Sequence, residues 1–354
     1  MKKTLLIGPF PYPIKGISLS NQTLYNGLKN KGFQVDFINT ESNEKSIGTD
    51  FGAFSIRKLK FITKYLYSYK VLLHQNIYIT IGITFFGVLK YAPFILMGWL
   101  FNKNLIVHVH SNYLSTEYQS LKGLKRKIFK FLLQKFNKGI VLSDGLRHNL
   151  EDFIAPTAIY AVPNFVQEEL LQGVQISKDY TTLNVFFLSN LLEEKGINVL
   201  LKAIERLQNE GIFFDVKIAG SLIPSNPLSQ LHTLKNVEYL GVVEGKAKQK
   251  LLLWGTVFCL PTYFSMEGQP ISIIEAMAFD NFILTTKHAG IPDICSEENA
   301  EFCEKNSVES LCVALRNLYL KGSKGKEASL QNGIYARAKY TEQKFIQRIA
   351  QILE

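Results

Sequence analysis

The sequence predicts an α/β protein: two doubly wound parallel-sheet lobes facing across a cleft. Three observations carry this. The chain has 354 residues, too many for one ordinary core and suited to two of roughly 150 to 180 residues each. Short apolar runs alternate with amphipathic helical ones along almost its whole length. Around residues 160–182 the apolar periodicity fades, and then the same alternation restarts. The expected domains are therefore residues 1–170 and 171–340, with a final helix at about 341–354 expected to return to the first lobe. A hydrophobic content of 47% and an aromatic content of 12% belong to a folded globular chain rather than a disordered one.

In the first lobe, TLLIGPF (4–10) reads as a strand and is followed by a loop ending at Gly16. The next stretch, SLSNQTLYNGLKNKG (18–32), places Leu24 and Leu28 on one helical face and Gly32 at a helix C′ position. FQVDFIN (33–39) closes a βαβ unit. IYITIG (77–82), NLIVHVH (104–110) and GIVLS (139–143) extend the sheet, with the helix LKRKIFKFLLQKF (124–136) between the last two. In the second lobe the strands are NVFFLS (184–189), FDVKIAG (214–220), VEYLG (237–241), TVFCLPT (256–262) and NFILTT (281–286). INVLLKAIERLQNEG (197–211) and PISIIEAMAF (270–279) are helices among them. The tail TEQKFIQRIAQILE (341–354) is an amphipathic helix with Phe345, Ile349 and Leu353 on one stripe.

Charge is divided unevenly. Residues 1–166 hold 21 Lys+Arg against 8 Asp+Glu, a balance of +13, and the remainder holds 19 against 22, a balance of −3. The first lobe is thus expected to meet something anionic, with an anionic membrane surface ranked first because its basic residues sit among apolar ones. Nucleic acid ranks below, since no recognition motif accompanies the charge. Residues 77–101 carry one charge, Lys90, in 25 positions. A buried strand followed by a helix is favoured there over a helix lying on a membrane, and that over a span, because Lys90 and Pro93 fall mid-segment. The N-terminal apolar stretch is too short for a signal peptide. Cys259, Cys295, Cys303 and Cys312 form no C-x-x-C pair and read as reduced core residues of a cytoplasmic protein.

The chemistry concentrates in FSMEGQPISIIEAMAF (264–279), where Glu267 and Glu275 stand eight positions apart. Glu267 follows a strand, and Pro270 suits the first turn of the next helix. The helix start over Gly268, Gln269, Pro270, Ile271 and Ser272 offers backbone N–H groups and a positive dipole end to a phosphate. A diphosphate between two hydroxyl-rich sugars matches that layout, with one carboxylate for each sugar. On spacing alone the two glutamates are as well explained as ordinary helix-start carboxylates, Lys195 as a solvated helix-start charge, and the 124–136 helix as a basic solvated face over a core stripe.

This stretch resembles the E-x7-E signature of retaining glycosyltransferases of family 4, which have the GT-B fold. The likeness extends to PYPIKGISLSNQTLYNGLKNKGFQV, LIVHVH, IVLSDGLRHNL, VPNFV and LSNLLEEKGINVLLKAI. It implies that Glu267 holds hydroxyls of the transferred sugar, Glu275 the ribose hydroxyls, and Lys195 the departing diphosphate. Gly16 lets the N-terminal loop approach the donor, and His110 faces the transferred sugar. His108 is expected on the opposite face of its strand, in a structural role. Asn190 stands where the family has an arginine, and Lys15 with Gly16 where it has a glycine pair.

The implied reaction transfers sugar from a nucleotide-sugar donor, UDP-sugar favoured, to a saccharide or lipid-linked acceptor with retained configuration. The setting is bacterial surface polysaccharide synthesis at the inner face of the membrane. No cofactor is expected, and no metal, since no Asp-x-Asp or His/Cys cluster occurs. The residues also bear on two rival readings. A nicotinamide-dependent dehydrogenase fails because no G-x-G-x-x-G opens a helix. A non-catalytic nucleotide-sugar-binding scaffold is kept open by Asn190.

Overall fold

A computed structural model of the chain describes residues 3–12, 16–41, 56–223, 231, 233–321 and 325–354. It falls into two compact units, the first formed by Met1–Asn164 with Gln343–Glu354 and the second by Phe165–Glu342.

The first unit runs β1 (Thr4–Gly8), α1 (Gly16–Asn30), β2 (Val35–Asn39), a 3-10 stretch Ile56–Leu73, β3 (Asn76–Thr80), α2 (Phe85–Leu89), α3 (Ala92–Leu100), β4 (Asn104–Val109), α4 (Leu114–Ser120), α5 (Gly123–Leu133), β5 (Lys138–Val141) and β6 (Ile159–Ala161). Its six strands lie in the order β2-β1-β3-β4-β5-β6, and every pairing is parallel. β1 and β3 are buried along their whole length, as expected of strands covered on both faces. α1 buries Leu24 and Leu28 and stops at Gly32, whose φ of +82° a side chain resists. There the Gly32 N–H donates to Lys29 O at 2.9 Å and the Phe33 N–H to Leu28 O at 3.0 Å, the paired bonds of a Schellman stop.

Residues 77–101 resolve into β3, α2 and α3. Lys90 caps the end of α2, and Pro93 sits in the first turn of α3. The two residues that interrupt the apolar run thus fall at the break between elements, where each is tolerated. Among the described residues no helix is long and apolar enough to cross a membrane. β6 was not foreseen: its three residues lie where the fading periodicity reads as linker.

The second unit runs α6 (Glu168–Leu171), β7 (Asn184–Leu188), α7 (Ile197–Asn209), β8 (Asp215–Ala219), β9 (Val237–Tyr239), α8 (Gly245–Trp254), β10 (Val257–Leu260), α9 (Ile271–Ala278), β11 (Phe282–Thr286), β12 (Ala300–Cys303), α10 (Val308–Lys321) and α11 (Gly325–Lys339). The strand order is β12-β11-β10-β7-β8-β9, again parallel throughout. α10 packs on α7, and α11 on α9. β12, too, was not foreseen from the sequence. The four cysteines are free and buried.

The last helix, α12 (Glu342–Leu353), joins the first unit through Phe345, Ile349 and Leu353, all buried. Asn76 Nδ2 donates to the Leu353 carbonyl at 2.7 Å, tying the helix end to the start of β3. Ile349→Ala, which empties a fully buried site, should destabilise the first unit by about 2–4 kcal/mol. The chain has two tryptophans, Trp99 in the first unit and Trp254 in the second. Urea unfolding followed in Trp254→Phe and Trp99→Phe backgrounds should show the loss in the Trp99 signal alone. Equal shifts in both would contradict this assignment of α12.

Candidate active site

All strands of a parallel sheet point one way, so the loops after their carboxyl ends gather at one edge. In the second unit the chain leaves β7 through Asn190, makes a 3-10 turn Glu193–Lys195 and enters α7 at Gly196. Gly196 has a φ of +87°, and a Cβ there would lie 2.3 Å from the Pro261 carbonyl oxygen. Only glycine permits so close an approach. The Tyr263 N–H donates to Glu194 O at 2.8 Å across the same seam, so the turn carrying Lys195 is fastened to the loop after β10.

That loop carries Glu267. Its carboxylate Oε2 lies 2.5 Å from Lys195 Nζ and 3.3 Å from Thr262 Oγ1. Both partners of the ion pair are nearly buried, with side-chain exposures of 13% and 9%. An ammonium has three N–H donors, of which Glu267 takes one. Lys195 also sits 5.0 Å from the Phe264 ring centroid. His288, from the loop after β11, bonds the Phe264 carbonyl through Nε2 at 2.8 Å. Burial, more than anything else, holds its imidazole below the usual range; the hydrogen bond to Phe264 and the charge of Glu267 oppose this.

Gly268 accepts from the Gly290 N–H at 2.9 Å, and Gln269 and Pro270 are buried. Pro270 precedes α9 in extended conformation. Ile271 and Ser272 open that helix ahead of its first backbone bond, from Ile273 N–H to Pro270 O. Their N–H groups have no intrahelical acceptor. Glu275 lies inside α9, 2% exposed, with Oε1 2.5 Å from Lys248 Nζ of α8. Asn190 is exposed and accepts from Ser221 Oγ at 2.9 Å.

Gly16 and His110 belong to the first unit. Gly16 is the exposed first residue of α1, and Lys15 lies outside the described residues. His110 follows β4. Its Nε2 lies 3.2 Å from His108 Nδ1, which also bonds the Tyr78 hydroxyl. The expectation that His108 faces away is therefore wrong. Positions i and i+2 of a strand share a face, and the two rings stand 3.9 Å apart. Thr80 Oγ1 donates to Asn21 Oδ1 at 2.9 Å, and Asn21 Nδ2 to Pro9 O at 2.8 Å, which ties β3 to α1 and the loop after β1.

Sequence reasoning missed Lys248, His288 and the Tyr78–His108 pair. Lys248 reads as one more basic residue of a helix, and only the fold brings it to Glu275. Among the described residues no group of three His, Cys, Asp or Glu side chains could hold a metal ion. A cavity of about 550 Å³ lies at the opposite, amino ends of the strands, lined by Asn184, Asp215, Val257 and Phe282, and contains none of the predicted site residues.

Residues 182–321, within the second unit, match the family model Glycosyl transferases group 1, and the two six-stranded sheets are those of the GT-B architecture. It is similar to the phosphatidylinositol N-acetylglucosaminyltransferase gpi3 subunit of Schizosaccharomyces pombe, 27% identical over 50% of this chain and 40% of the relative. It is also similar to the amylovoran biosynthesis glycosyltransferase AmsK of Erwinia amylovora, 27% identical over 48% of this chain and 42% of the relative. The matches thus span less than half the length of these curated relatives. Among solved structures, Anabaena Alr3699/HepE in complex with UDP superposes with a TM-score of 0.73, over 99% of both chains at 12% identity.

Lys248→Met leaves the Glu275 carboxylate buried without its cation and should lower stability by about 3 kcal/mol. The double variant Lys248→Met/Glu275→Leu should regain most of that in urea unfolding. A double variant as unstable as the single one would show that the pair is not the source.

Burial, with His110 adding to it, holds His108 well below the ordinary imidazole range, and burial brings His110 down to about 3. The unfolded chain takes up these protons near pH 6.5 while the folded chain refuses them. The stability fully present above that pH is therefore lost as pH falls towards 3, by about 1.4 kcal/mol per unit for each histidine. His110→Gln should flatten the decline between pH 6.5 and 5 in unfolding titrations; an unchanged slope would refute the assignment.

Proposed function

We propose that the protein is a retaining, metal-independent glycosyltransferase of family 4, taking a nucleoside-diphosphate sugar, UDP-sugar favoured, as donor. The acceptor is a hydroxyl of a saccharide or lipid-linked molecule in bacterial surface polysaccharide synthesis. The observation that carries this reading is the pairing of Lys195 with Glu267 beside the open start of α9, with Glu275 further along the helix. The UDP complex of the HepE structure and the names of the two relatives, one concerned with a polysaccharide and one with a lipid, support it.

In this reading the Ile271 and Ser272 N–H groups and Lys195 receive the diphosphate. Negative charge grows there as the bond from the anomeric carbon to oxygen breaks, and donors fixed in a dry site act on it most strongly. Glu267, already held by Lys195 and Thr262, accepts hydroxyls of the transferred sugar. Glu275 accepts the ribose hydroxyls, its orientation set by Lys248. The acceptor oxygen attacks the same face that the leaving group vacates, and its proton passes to the departing phosphate. Asn190 adds a hydrogen bond but no charge, so Lys195 is the charged group on the leaving side.

The alternative, a nucleotide-sugar-binding scaffold without turnover, draws on Asn190 lacking the charge usual at its position. A thermal-shift screen against UDP, GDP and ADP and their sugar conjugates, followed by product analysis with acceptor lysates, separates the two. One nucleotide class should raise the melting temperature, and Glu275→Ala should abolish the shift. Glu267→Gln should keep the Glu275-dependent shift and Lys195→Met should reduce it, and each should lower turnover about 10²- to 10³-fold. Binding without any product would identify a scaffold, and no shift with any nucleotide would remove both readings.

A further inference from the structure

The first unit leaves an apolar face uncovered and surrounds it with cations. α3 has no charged residue in its sequence APFILMGWL. The fold buries only one side of it: Phe94, Ile95 and Gly98 pack inward, where a Cβ on Gly98 would meet Leu105 of β4 at 2.6 Å. The other side stays bare, with Trp99 50% and Leu100 71% exposed, followed by Phe101 at 51%. α5 contributes an outer stripe of Leu124, Lys127 and Phe131 at helical spacing, all exposed, above the buried Phe129, Leu132 and Leu133. Trp99 and Phe131 meet edge to face at 6.3 Å, so the two helices present one surface. Lys135 lies over both rings, 4.0 Å from the Trp99 centroid and 4.2 Å from that of Phe131.

The charge in this stretch of the sequence is almost all of one sign. Residues 51–143 contain 14 Lys+Arg and a single acidic residue, Glu117. The Glu117 carboxylate accepts the Phe85 N–H at 2.7 Å, so it is engaged at the start of α2. Lys122 just before α5 and Lys125, Arg126, Lys127 and Lys130 on it are all exposed, and none appears in an ion pair with a described carboxylate. A helix that is apolar all round but half uncovered calls for a partner. Trp and Phe at the rim of a lysine field suit the boundary between lipid headgroups and acyl chains, where rings bury a few ångströms deep and ammonium groups stay at the phosphates. Nine residues span roughly 13 Å of helix axis, so α3 lies in such a boundary and does not cross it.

We propose that the outer face of α3 and α5 docks on an anionic lipid bilayer, with Trp99, Leu100 and Phe131 entering the headgroup boundary and the α5 lysines pairing with lipid phosphates. The inference rests on the first unit alone and is independent of the glycosyl-transfer reading, which nucleotide binding tests separately.

The full chain should sediment with vesicles of equimolar phosphatidylcholine and phosphatidylglycerol, and at least about tenfold less with phosphatidylcholine alone. In Trp254→Phe, with Trp99 the remaining tryptophan, emission should shift to the blue on binding and be quenched by brominated lipid. Lys125→Gln/Lys127→Gln/Lys130→Gln and Trp99→Ser/Leu100→Ser should each lower vesicle partitioning about tenfold. Because these side chains are exposed, both variants should keep the parent melting temperature and nucleotide shift. Three outcomes would overturn the proposal: no sedimentation at low salt, equal partitioning into both vesicle types, or capture by a soluble polyanion that displaces vesicles while the Trp99 emission stays unchanged.

Discussion

The ion pair between Lys195 and Glu267 joins two loops 72 positions apart in sequence, and the organisation of the second unit's candidate site depends on it. Neither charge is well hydrated, so each would be costly without the other. The backbone contact between Gly196 and Pro261 brings the two loops together, and Thr262 and Phe264 complete the surroundings of the pair. Glu275 repeats the arrangement with Lys248. Two glutamates of one loop-helix segment are thus each held by a lysine from a different element, which fixes both carboxylates before any ligand contacts them.

The fold was legible because the signals it needs are local. Continuous apolar runs such as NVFFL mark strands buried on both faces, and Gly32 marks a helix end whatever surrounds it. The two strands that escaped, β6 and β12, are three and four residues long at the edges of their sheets, where half of the burial that makes a strand recognisable is missing. The broken run at 77–101 was legible for the opposite reason: Lys90 and Pro93 are poor residues for the middle of a helix, and the chain places them where one helix gives way to the next. The family resemblance rested on a motif held within sixteen residues, and the match of the second unit to group 1 glycosyltransferases agrees with it.

The site was legible only in part. Lys195, Glu267 and Glu275 stand out because each falls next to a strand end or helix start. Lys248 does not, since nothing in GKAKQKLLLW distinguishes one lysine from another until α8 is laid against α9. His108 was misassigned through neglect of the two-residue period of a strand, a rule that the sequence itself supplies. The charge asymmetry was visible from composition, but its arrangement was not. Whether the lysines of α5 face solvent beside Trp99 or lie elsewhere depends on which side of α3 the sheet covers.

The chain leaves the first unit after Asn164 and returns to it at Gln343, so the second unit is an insertion within the first. Folding during synthesis therefore has an imposed order. All residues of the inserted unit are synthesised before α12, and the groove that receives Phe345, Ile349 and Leu353 stays open until that helix is made. During that interval the first unit exposes the seat of the last helix as well as the outer face of α3, and the chain itself later closes the seat.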